Sequence, residues 1–371
     1  MTHNQILTGV AIRLVQRLGM HTDSEPEGLS PYDVQMRRRV WWQILPLDVL
    51  AAQLCGTGVA VSPDSWNAKL ALNINDDDIW PGMTETPVER AGATDMIFCL
   101  ARSELHRFHQ KVKPATGLTI WSGRITDDET INSIDDALVE LEDKLETKYV
   151  RYCDVVIPIH WCTMMLARGA ITSIRLRVRL PRAKAQQHVP DHERKLLYDL
   201  TIKSMHYSIS SFNNDAIRPY RWHLHAMFQW DPLIWVLEEL RCGSPFVDIN
   251  DAWSKIEQLL LSQPAILTLK RPLDGAVGEL ILKAWTATPN TGREPDFIAA
   301  LKDTFGKRAA TKQPPVASLS IPAAQQTQTM SYPDALDFSS TMDGMDFGFD
   351  SDQIDWEFWD QMLKDPAALS L

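Results

Sequence analysis

The chain has 371 residues, 44% of them hydrophobic, and a formal net charge of −11, a composition typical of a globular protein. Its lack of a basic excess argues against direct nucleic-acid binding. Its five cysteines are scattered and include no Cys-x-x-Cys pair, which argues against a zinc ribbon and favours reduced thiols in an intracellular protein.

Helical periodicity begins at the N-terminus. Val10, Leu14 and Leu18 recur at helical spacing and predict an apolar face for the first helix. A second helix is expected to start with Ser30 as its N-cap and Pro31 in its first turn, with Asp33 at a capping-box spacing. We expect this helix to kink near Pro46 and to end near Gly56.

Most of the remaining sequence up to about residue 305 is also predicted to be helical. A Pro- and Asp-rich loop is predicted over residues 57–87. The periodicity shows no sustained strand alternation and no internal repeat, so the predicted fold class is all-α. The predicted helices cover about 88–112, 130–150, 155–180, 191–212, 223–241, 249–262, 275–286 and 295–305. We predict a helical regulatory domain at 1–305, a Pro/Gln-rich linker at 306–330 and an acidic-aromatic tail at 331–371.

The second helix contains the most distinctive segment, three arginines followed closely by two tryptophans. Arg37 and Arg38 lie four residues before Trp41 and Trp42, so each guanidinium can lie over an indole on the same helix. Asp48 falls on the Trp41 face and, if buried, needs a donor from another helix. One interpretation makes the segment a buried strut, and the other makes it a DNA or ligand contact. The strut is favoured, because DNA-reading surfaces rarely present tryptophans.

Four segments together resemble the fungal-specific transcription factor domain, the regulatory middle region of zinc binuclear-cluster transcription factors. They are residues 11–21 with Asp23, residues 36–42, the pair at 47–48 and residues 73–76. The resemblance is clearest over residues 1–110. It departs from the family at 56–58, where Gly-Thr-Gly replaces the usual Gly-Arg-Pro, and at Thr22, where a basic residue is common. The signature residues, expected to be structural, are Arg37, Arg38, Arg39, Trp41, Trp42, Asp48, Asn73, Asn75 and Asp76.

The resemblance implies a fungal, nuclear transcription regulator. DNA binding and zinc belong, in this family, to a six-cysteine cluster that the sequence does not include, so no DNA-binding or zinc residue is assigned here and no cofactor is expected. A small-molecule-sensing helical receptor is the alternative. A helical enzyme ranks last, because no nucleophile elbow, phosphate-binding loop or dinucleotide fingerprint occurs, and no catalytic residue is predicted.

Metal sites are not predicted. A calcium loop counted from Asn73 would need glycine at Asp78 and glutamate at Thr84. Loop and helix capping explains that segment better. The pairs His106/His109 and His188/His192 lack further ligands at suitable spacing.

A basic run ends the fifth predicted helix. It is interpreted mainly as a solvated face that complements the helix C-terminus, and otherwise as a docking site for the acidic tail or for an acidic partner. Its members are Arg168, Arg175, Arg177, Arg179, Arg182 and Lys184.

The C-terminal tail is the stronger functional signal. From Ser331 onward there are ten acids and one lysine, interleaved with large apolar side chains. Charge repulsion would keep those rings exposed to a partner, and Ile354, Phe358 and Met362 have the spacing of an amphipathic helix. We expect an activation segment that recruits coactivators, with no membrane partner. The expected contact residues are Phe338, Phe347, Phe349, Trp356, Phe358 and Trp359.

Overall fold

A computed structural model of the chain describes residues 3–23, 28–55, 59–112, 127–185, 189–221, 223, 230–269, 272–289 and 294–311. Across these ranges the regular structure is helical, which confirms the predicted all-α class. The linker from residue 312 and the whole tail lie outside the described residues. The described α-helices are α1 (His3–Arg17), α2 (Pro31–Cys55), α3 (Ile97–Lys111), α4 (Asp128–Lys148), α5 (Pro158–Ala185), α6 (Asp191–Asn213), α7 (Trp230–Arg241), α8 (Ile249–Ser262), α9 (Pro272–Ala287) and α10 (Asp296–Thr311).

The start of α2 follows the predicted capping chemistry. The Asp33 backbone N–H donates to Ser30 Oγ at 3.2 Å, and the Ser30 backbone N–H donates to Asp33 Oδ2 at 3.4 Å. Pro31 occupies the first helical position, where its missing N–H costs nothing. The helix continues through Pro46 to Cys55, close to the predicted end.

The apolar face predicted for α1 points outward instead. Leu7, Val10 and Leu14 are each more than half exposed, whereas Ile12 and Val15 are buried. Because α1 packs on α2 through Ile12 and Val15, the more regular apolar stripe lies on the opposite side. Periodicity identified the helix correctly and its buried face wrongly.

Two other helix ends differ from prediction. Helix α3 starts at Ile97 rather than near 88, because the preceding segment bonds back to an earlier loop: the Arg90 N–H donates to the Asn73 carbonyl at 2.8 Å. Helix α10 reaches Thr311, past the predicted linker start at 306. A Lys307–Asp303 ion pair at 2.6 Å spans one turn there and favours further helix.

The helices form two packed groups joined by α5 and α6. In the first, α1 packs on α2, α2 on α3, and α3 on both α4 and α5. In the second, α6 contacts α7 and α8, α7 contacts α9, and α9 contacts α10. The second group has one apolar core. The first has two apolar clusters, one centred on α1 and α2 and the other on α3, α4 and α5. A smaller cluster around Leu176 and Leu197 lies between α5 and α6. None of the described helices combines the length and apolar character needed to cross a membrane.

The second group is packed closely around Gly278 on α9. A Cβ there would lie 2.8 Å from Leu269 Cδ2 and 3.2 Å from Phe305 Cε2. Leu269 itself has a positive φ of 51°, an uncommon conformation for a side-chain-bearing residue. The glycine is therefore required by the close approach of its neighbours.

Candidate functional site

The three consecutive arginines of α2 reach three different parts of the chain. Arg37 Nη1 donates to the Leu18 carbonyl at 2.8 Å, at the end of α1. Arg38 binds Asp23 through two parallel bonds, Nε–Oδ1 at 2.8 Å and Nη2–Oδ2 at 2.9 Å. These contacts replace the predicted stacking of Arg37 and Arg38 on the indoles.

Arg39, the third arginine, reaches forward along the chain. Its Nη1 donates to Asp76 Oδ1 at 2.6 Å, so α2 is tied to the loop that precedes α3. The arginine block thus joins α2 to the segments before and after it in sequence. Because all three arginines are paired within the chain, they do not form a continuous basic surface on α2.

The Asp23 carboxylate, which Arg38 binds, is largely removed from solvent. Its side chain is 10% exposed, and Lys69 Nζ also lies 3.0 Å from Oδ2. Burial alone would raise the pKa of Asp23, but hydrogen bonds from Arg38 and Lys69 outweigh it and the pKa lies below its usual value. Asp23 therefore stays ionised and paired at neutral pH.

Both tryptophans of α2 are buried. Trp41 is fully buried and Trp42 nearly so. Trp66 packs against both, with ring centroids 5.9 Å from Trp41 and 5.2 Å from Trp42. The Trp42 Nε1–H donates to the Lys69 carbonyl at 2.8 Å. A helix side that carries two buried indoles is not available to DNA.

Asp48 is buried on the same side of α2. Its Oδ1 accepts the N–H of Ala60 at 3.1 Å and its Oδ2 accepts the N–H of Val61 at 2.9 Å. A donor was expected from another helix, whereas both donors are backbone amides of the loop that follows α2. Two amide bonds to a carboxylate satisfy its charge and fix the direction of the returning chain.

The loop at 73–76 is organised by its two asparagine side chains. Asn73 Nδ2 donates to the carbonyls of Arg90 and Gly92, both at 2.8 Å, while its Oδ1 accepts from Thr94 Oγ1 at 2.6 Å. One amide group thus joins two stretches of chain that run side by side before α3.

Asn75 caps a short 3₁₀ turn at Asp76–Asp78. The Asn75 N–H donates to Asp78 Oδ2 at 2.8 Å, and the reciprocal contact of a capping box is also present. Arg90 then pairs with Asp78, with Nε at 2.6 Å from Oδ2. These acids are therefore used in capping and pairing, the interpretation that the spacing favoured over a metal site.

The basic run on α5 is committed to internal ion pairs. Arg168 contacts Glu146 at 2.7 Å, Arg175 contacts Glu142 at 2.7 Å, and Arg177 contacts Asp231 at 3.2 Å. Arg179 pairs with Asp135, and Arg182 pairs with Asp128 and Glu193. Most of these acids lie on α4, which packs beside α5. The arginines from Arg175 to Arg182 are thus occupied by acids of the same chain, whereas Arg168 and Lys184 remain exposed.

The described histidines do not form a metal site. His106 is buried with its ring 6.2 Å from that of Trp42, and its pKa falls to about 4 because of burial and of the nearby Arg102. Burial also lowers the pKa of His109 to about 3. His188 lies outside the described residues. Within the described part of the chain, no group of three or more His, Cys, Asp or Glu side chains converges as metal ligands do.

Several contacts were not predicted from the sequence. Arg102 on α3 donates from Nη1 to Gln43 on α2 at 3.1 Å, and Gln35 on α2 accepts the Leu72 N–H at 2.9 Å. Gln35 and Gln43 are eight residues apart on α2, a spacing that could have marked a second polar side of this helix. The six expected tail contacts, from Phe338 to Trp359, lie outside the described residues.

Comparison with known proteins identifies the N-terminal part of the chain. Residues 2–139 match the fungal specific transcription factor domain. The chain is 30% identical to the aurofusarin cluster transcription factor aurR2 of Gibberella zeae, over 96% of this chain and 58% of that protein. It is 28% identical to the pyriculol/pyriculariol biosynthesis cluster transcription factor 1 of Pyricularia oryzae, over 98% of this chain and 51% of that protein.

A third relative, the transcriptional regulator AacuB of Aspergillus aculeatus, is 26% identical over 80% of this chain and 40% of its own length. The chain therefore spans about half the length of the curated relatives it matches. No solved structure matches it. The family match covers α1, α2, the asparagine loop, α3 and the start of α4, which are the elements that the arginine block ties together. The chain thus contains a fungal specific transcription factor domain at residues 2–139.

Proposed function

We propose that this chain is the regulatory and activating part of a fungal transcription regulator that acts in the nucleus. The observation that supports this most is its similarity, over 96% and 98% of its length, to two proteins named as transcription factors. These relatives are regulators rather than enzymes, and we propose no catalytic activity.

DNA recognition is proposed to lie outside these 371 residues. In the matched domain, Arg37, Arg38 and Arg39 make internal contacts and the two tryptophans are buried. This leaves the helical body as a platform for interaction and regulation. Promoter contact would come from a separate module, and zinc, if used, would belong to that module.

The tail is proposed to recruit coactivators. Its ten acids and its interleaved rings suit an exposed amphipathic segment that enters a partner's groove. The test joins the chain, and separately residues 331–371, to a foreign DNA-binding domain and measures a reporter gene. Alanine at Trp356, Phe358 and Trp359 should remove most of the output. Alanine at Ser339, Ser340 and Thr341 in the same tail is the control and should leave it unchanged. Absent output, or output that survives loss of the rings, would contradict the proposal.

A small-molecule effector is the second candidate function. The observation that favours it is a cavity of about 150 Å³ between α3, α5 and α6, lined mostly by apolar atoms. Such a cavity is large enough for a single-ring ligand, since engineered cavities of roughly this size bind benzene.

A further inference from the structure

A groove of about 800 Å³ lies between α3, α4 and the chain that follows α2. Aromatic side chains form much of its lining. Trp42 and Phe108 are buried there, and Trp66 packs edge-on against Trp42 with ring centroids 5.2 Å apart. Leu141 of α4 adds an aliphatic surface. The volume lies within the range of roughly 300–1,000 Å³ that binding clefts usually have, and the lining suits apolar side chains.

The wall that follows α2 is fixed by other parts of the domain. The Trp42 Nε1–H donates to the Lys69 carbonyl at 2.8 Å, and the Asn67 N–H donates to the His21 carbonyl at 3.1 Å. Asn67 Oδ1 in turn accepts the Asp23 N–H at 2.8 Å. The groove is therefore preformed, and an occupant does not have to order this wall when it binds.

The charged residues that line the groove form a basic rim. Four are cations and two are acids, which leaves an excess of two positive charges. Three of the cations are at least half exposed, so they are accessible to an occupant. These three are Lys69, Arg107 and Lys111.

The buried acid of the groove, Glu104, is shared among several cations. Its side chain is 2% exposed, with Lys144 Nζ at 2.6 Å, Arg107 Nη1 at 3.6 Å and Lys148 Nζ at 4.0 Å. The Tyr149 hydroxyl also donates to Oε1 at 3.3 Å. One carboxylate among three cations leaves this cluster with a positive excess, which favours an acidic occupant.

The tail of this chain, which lies outside the described residues, has the complementary composition. Residues 350–362 contain five acids and neither lysine nor arginine. Their large apolar side chains are Ile354, Trp356, Phe358, Trp359 and Met362. Acids match the basic rim, and rings match the aromatic lining. A short segment with both properties suits recognition in an apolar groove.

The chain between the helical body and this segment is long enough to reach the groove. Helix α10 ends at Thr311, so about 39 residues precede residue 350, and they can extend to roughly 130 Å. A compact body of about 300 residues has a radius of gyration of only roughly 19 Å. A flexible tether also gives a high effective concentration, so a weak contact can still be populated.

We propose that this groove is the docking site of residues 350–362 of the same chain. Docking covers the rings on which the proposed coactivator recruitment depends, so the groove and a coactivator compete for the tail. The arginines of α5, by contrast, are occupied by acids of α4 and α6. The inference goes beyond the proposed transcriptional role, because docking does not require that the tail activates transcription.

Hydrogen exchange of the full 371-residue chain, read by mass spectrometry, tests the docking. A synthetic peptide of residues 331–371 is the undocked reference. The amides of residues 350–362 should exchange at least about 10-fold more slowly in the full chain than in the peptide. About 1 M NaCl should reduce this protection, because the rim cations are exposed and are screened by salt. Dilution of the protein should not change it.

The first groove variant removes the exposed rim charges together, as Lys69→Gln, Arg107→Gln and Lys111→Gln. The tail amides of this variant should exchange within about twofold of the peptide rate. Each nearby buried acid keeps its closer partner, at 2.8 Å for Asp23 and 2.6 Å for Glu104, so the fold should be retained. Helical circular dichroism checks this.

The matched control removes three exposed lysines outside the groove, as Lys195→Gln, Lys302→Gln and Lys307→Gln. It has the same net charge as the first groove variant and should keep the protection of the parent chain. A second groove variant, Ala137→Trp, fills the groove without a change of charge and should also release the tail.

Three results would overturn the inference. They are exchange of residues 350–362 at the peptide rate in the parent chain, protection that persists in both folded groove variants, and protection that is lost on dilution. The last result would place the tail of a second copy in the groove. Because neither a reporter gene nor a coactivator enters the experiment, its failure would leave the transcriptional proposal standing, and the reverse also holds.

Discussion

Helices α2 and α5 both carry arginine-rich segments, but the two sets of arginines do different structural work. On α2, Arg37, Arg38 and Arg39 reach back to α1 and forward to the asparagine loop. On α5, Arg175 and its neighbours pair mainly with the adjacent helix α4. The first set fixes irregular chain on either side of α2, whereas the second supplements a helix pair that already has an apolar core.

The difference teaches that arginine density alone does not reveal a binding surface. Both segments invited a functional interpretation, and both are used internally. The burial of their partners separates them: the Asp23 side chain is 10% exposed and that of Glu142 is 40% exposed. Pairs with a buried acid couple strongly, whereas exposed pairs are screened by water and salt.

The largest expected effect is the loss of the apolar anchor of α2. Trp41→Ala should lower the free energy of unfolding by about 3–5 kcal/mol, because the Trp41 side chain is fully buried and packs against Trp66. Urea denaturation followed by circular dichroism measures it. Trp80, which is 57% exposed, provides the control, and Trp80→Ala should cost less than about 1 kcal/mol. Equal losses would show that α2 is not the anchor.

The next effect concerns the chain that returns after α2. Asp48→Ala should cost about 3 kcal/mol, since it leaves the Ala60 and Val61 amides without their acceptor. The variant should show faster hydrogen exchange at those two amides, with a smaller change at amides in the rest of the domain. Asp77→Ala, at an exposed acid of the same region, should change neither measurement.

Acid should weaken the contact between α2 and α3 through His106. Its folded pKa of about 4 lies below the unfolded value of about 6.5, so the unfolded chain binds the extra proton between these pH values. Stability is therefore present above about pH 6.5 and is lost as the pH falls toward about 4, by about 3 kcal/mol. His106→Leu should flatten this part of the stability-pH curve. An unchanged slope would mean that the buried imidazole does not contribute.

The smallest effect is expected on α5. Arg175→Gln should lower the free energy of unfolding by no more than about 1 kcal/mol, because Glu142 is partly solvated. Added salt should reduce even that difference. A loss above about 2 kcal/mol would make the α4–α5 ion pairs as important as those of α2.

The sequence predicted the helical class, most helix positions and the cap at Ser30, because these depend on local spacing and local chemistry. It also predicted that Trp41, Asp48 and Asn73 are structural. It did not predict which groups they meet, since the loop amides of Ala60 and Val61 reach Asp48 only through the tertiary fold. The same limit explains the wrong face of α1, where apolar periodicity was stronger on the side that remains exposed.

The cavity and Arg102 were beyond sequence reasoning for a related reason. Phe98 and Arg102 share a helix side, which spacing alone can reveal. The closeness of Phe98 to His223 and to the α5 wall depends on contacts between residues far apart in the chain. The sequence around Arg102 does not indicate that two of its guanidinium nitrogens are buried.

A pair of double-mutant cycles tests the central claim, that the arginines of α2 hold the domain together more strongly than those of α5. The first cycle combines Arg38→Gln with Asp23→Asn, and the second combines Arg175→Gln with Glu142→Gln, all measured by urea denaturation at one salt concentration. We expect a coupling energy of about 2 kcal/mol or more for Arg38–Asp23 and about 0.5 kcal/mol for Arg175–Glu142. Equal couplings, or a stronger one on α5, would contradict the account.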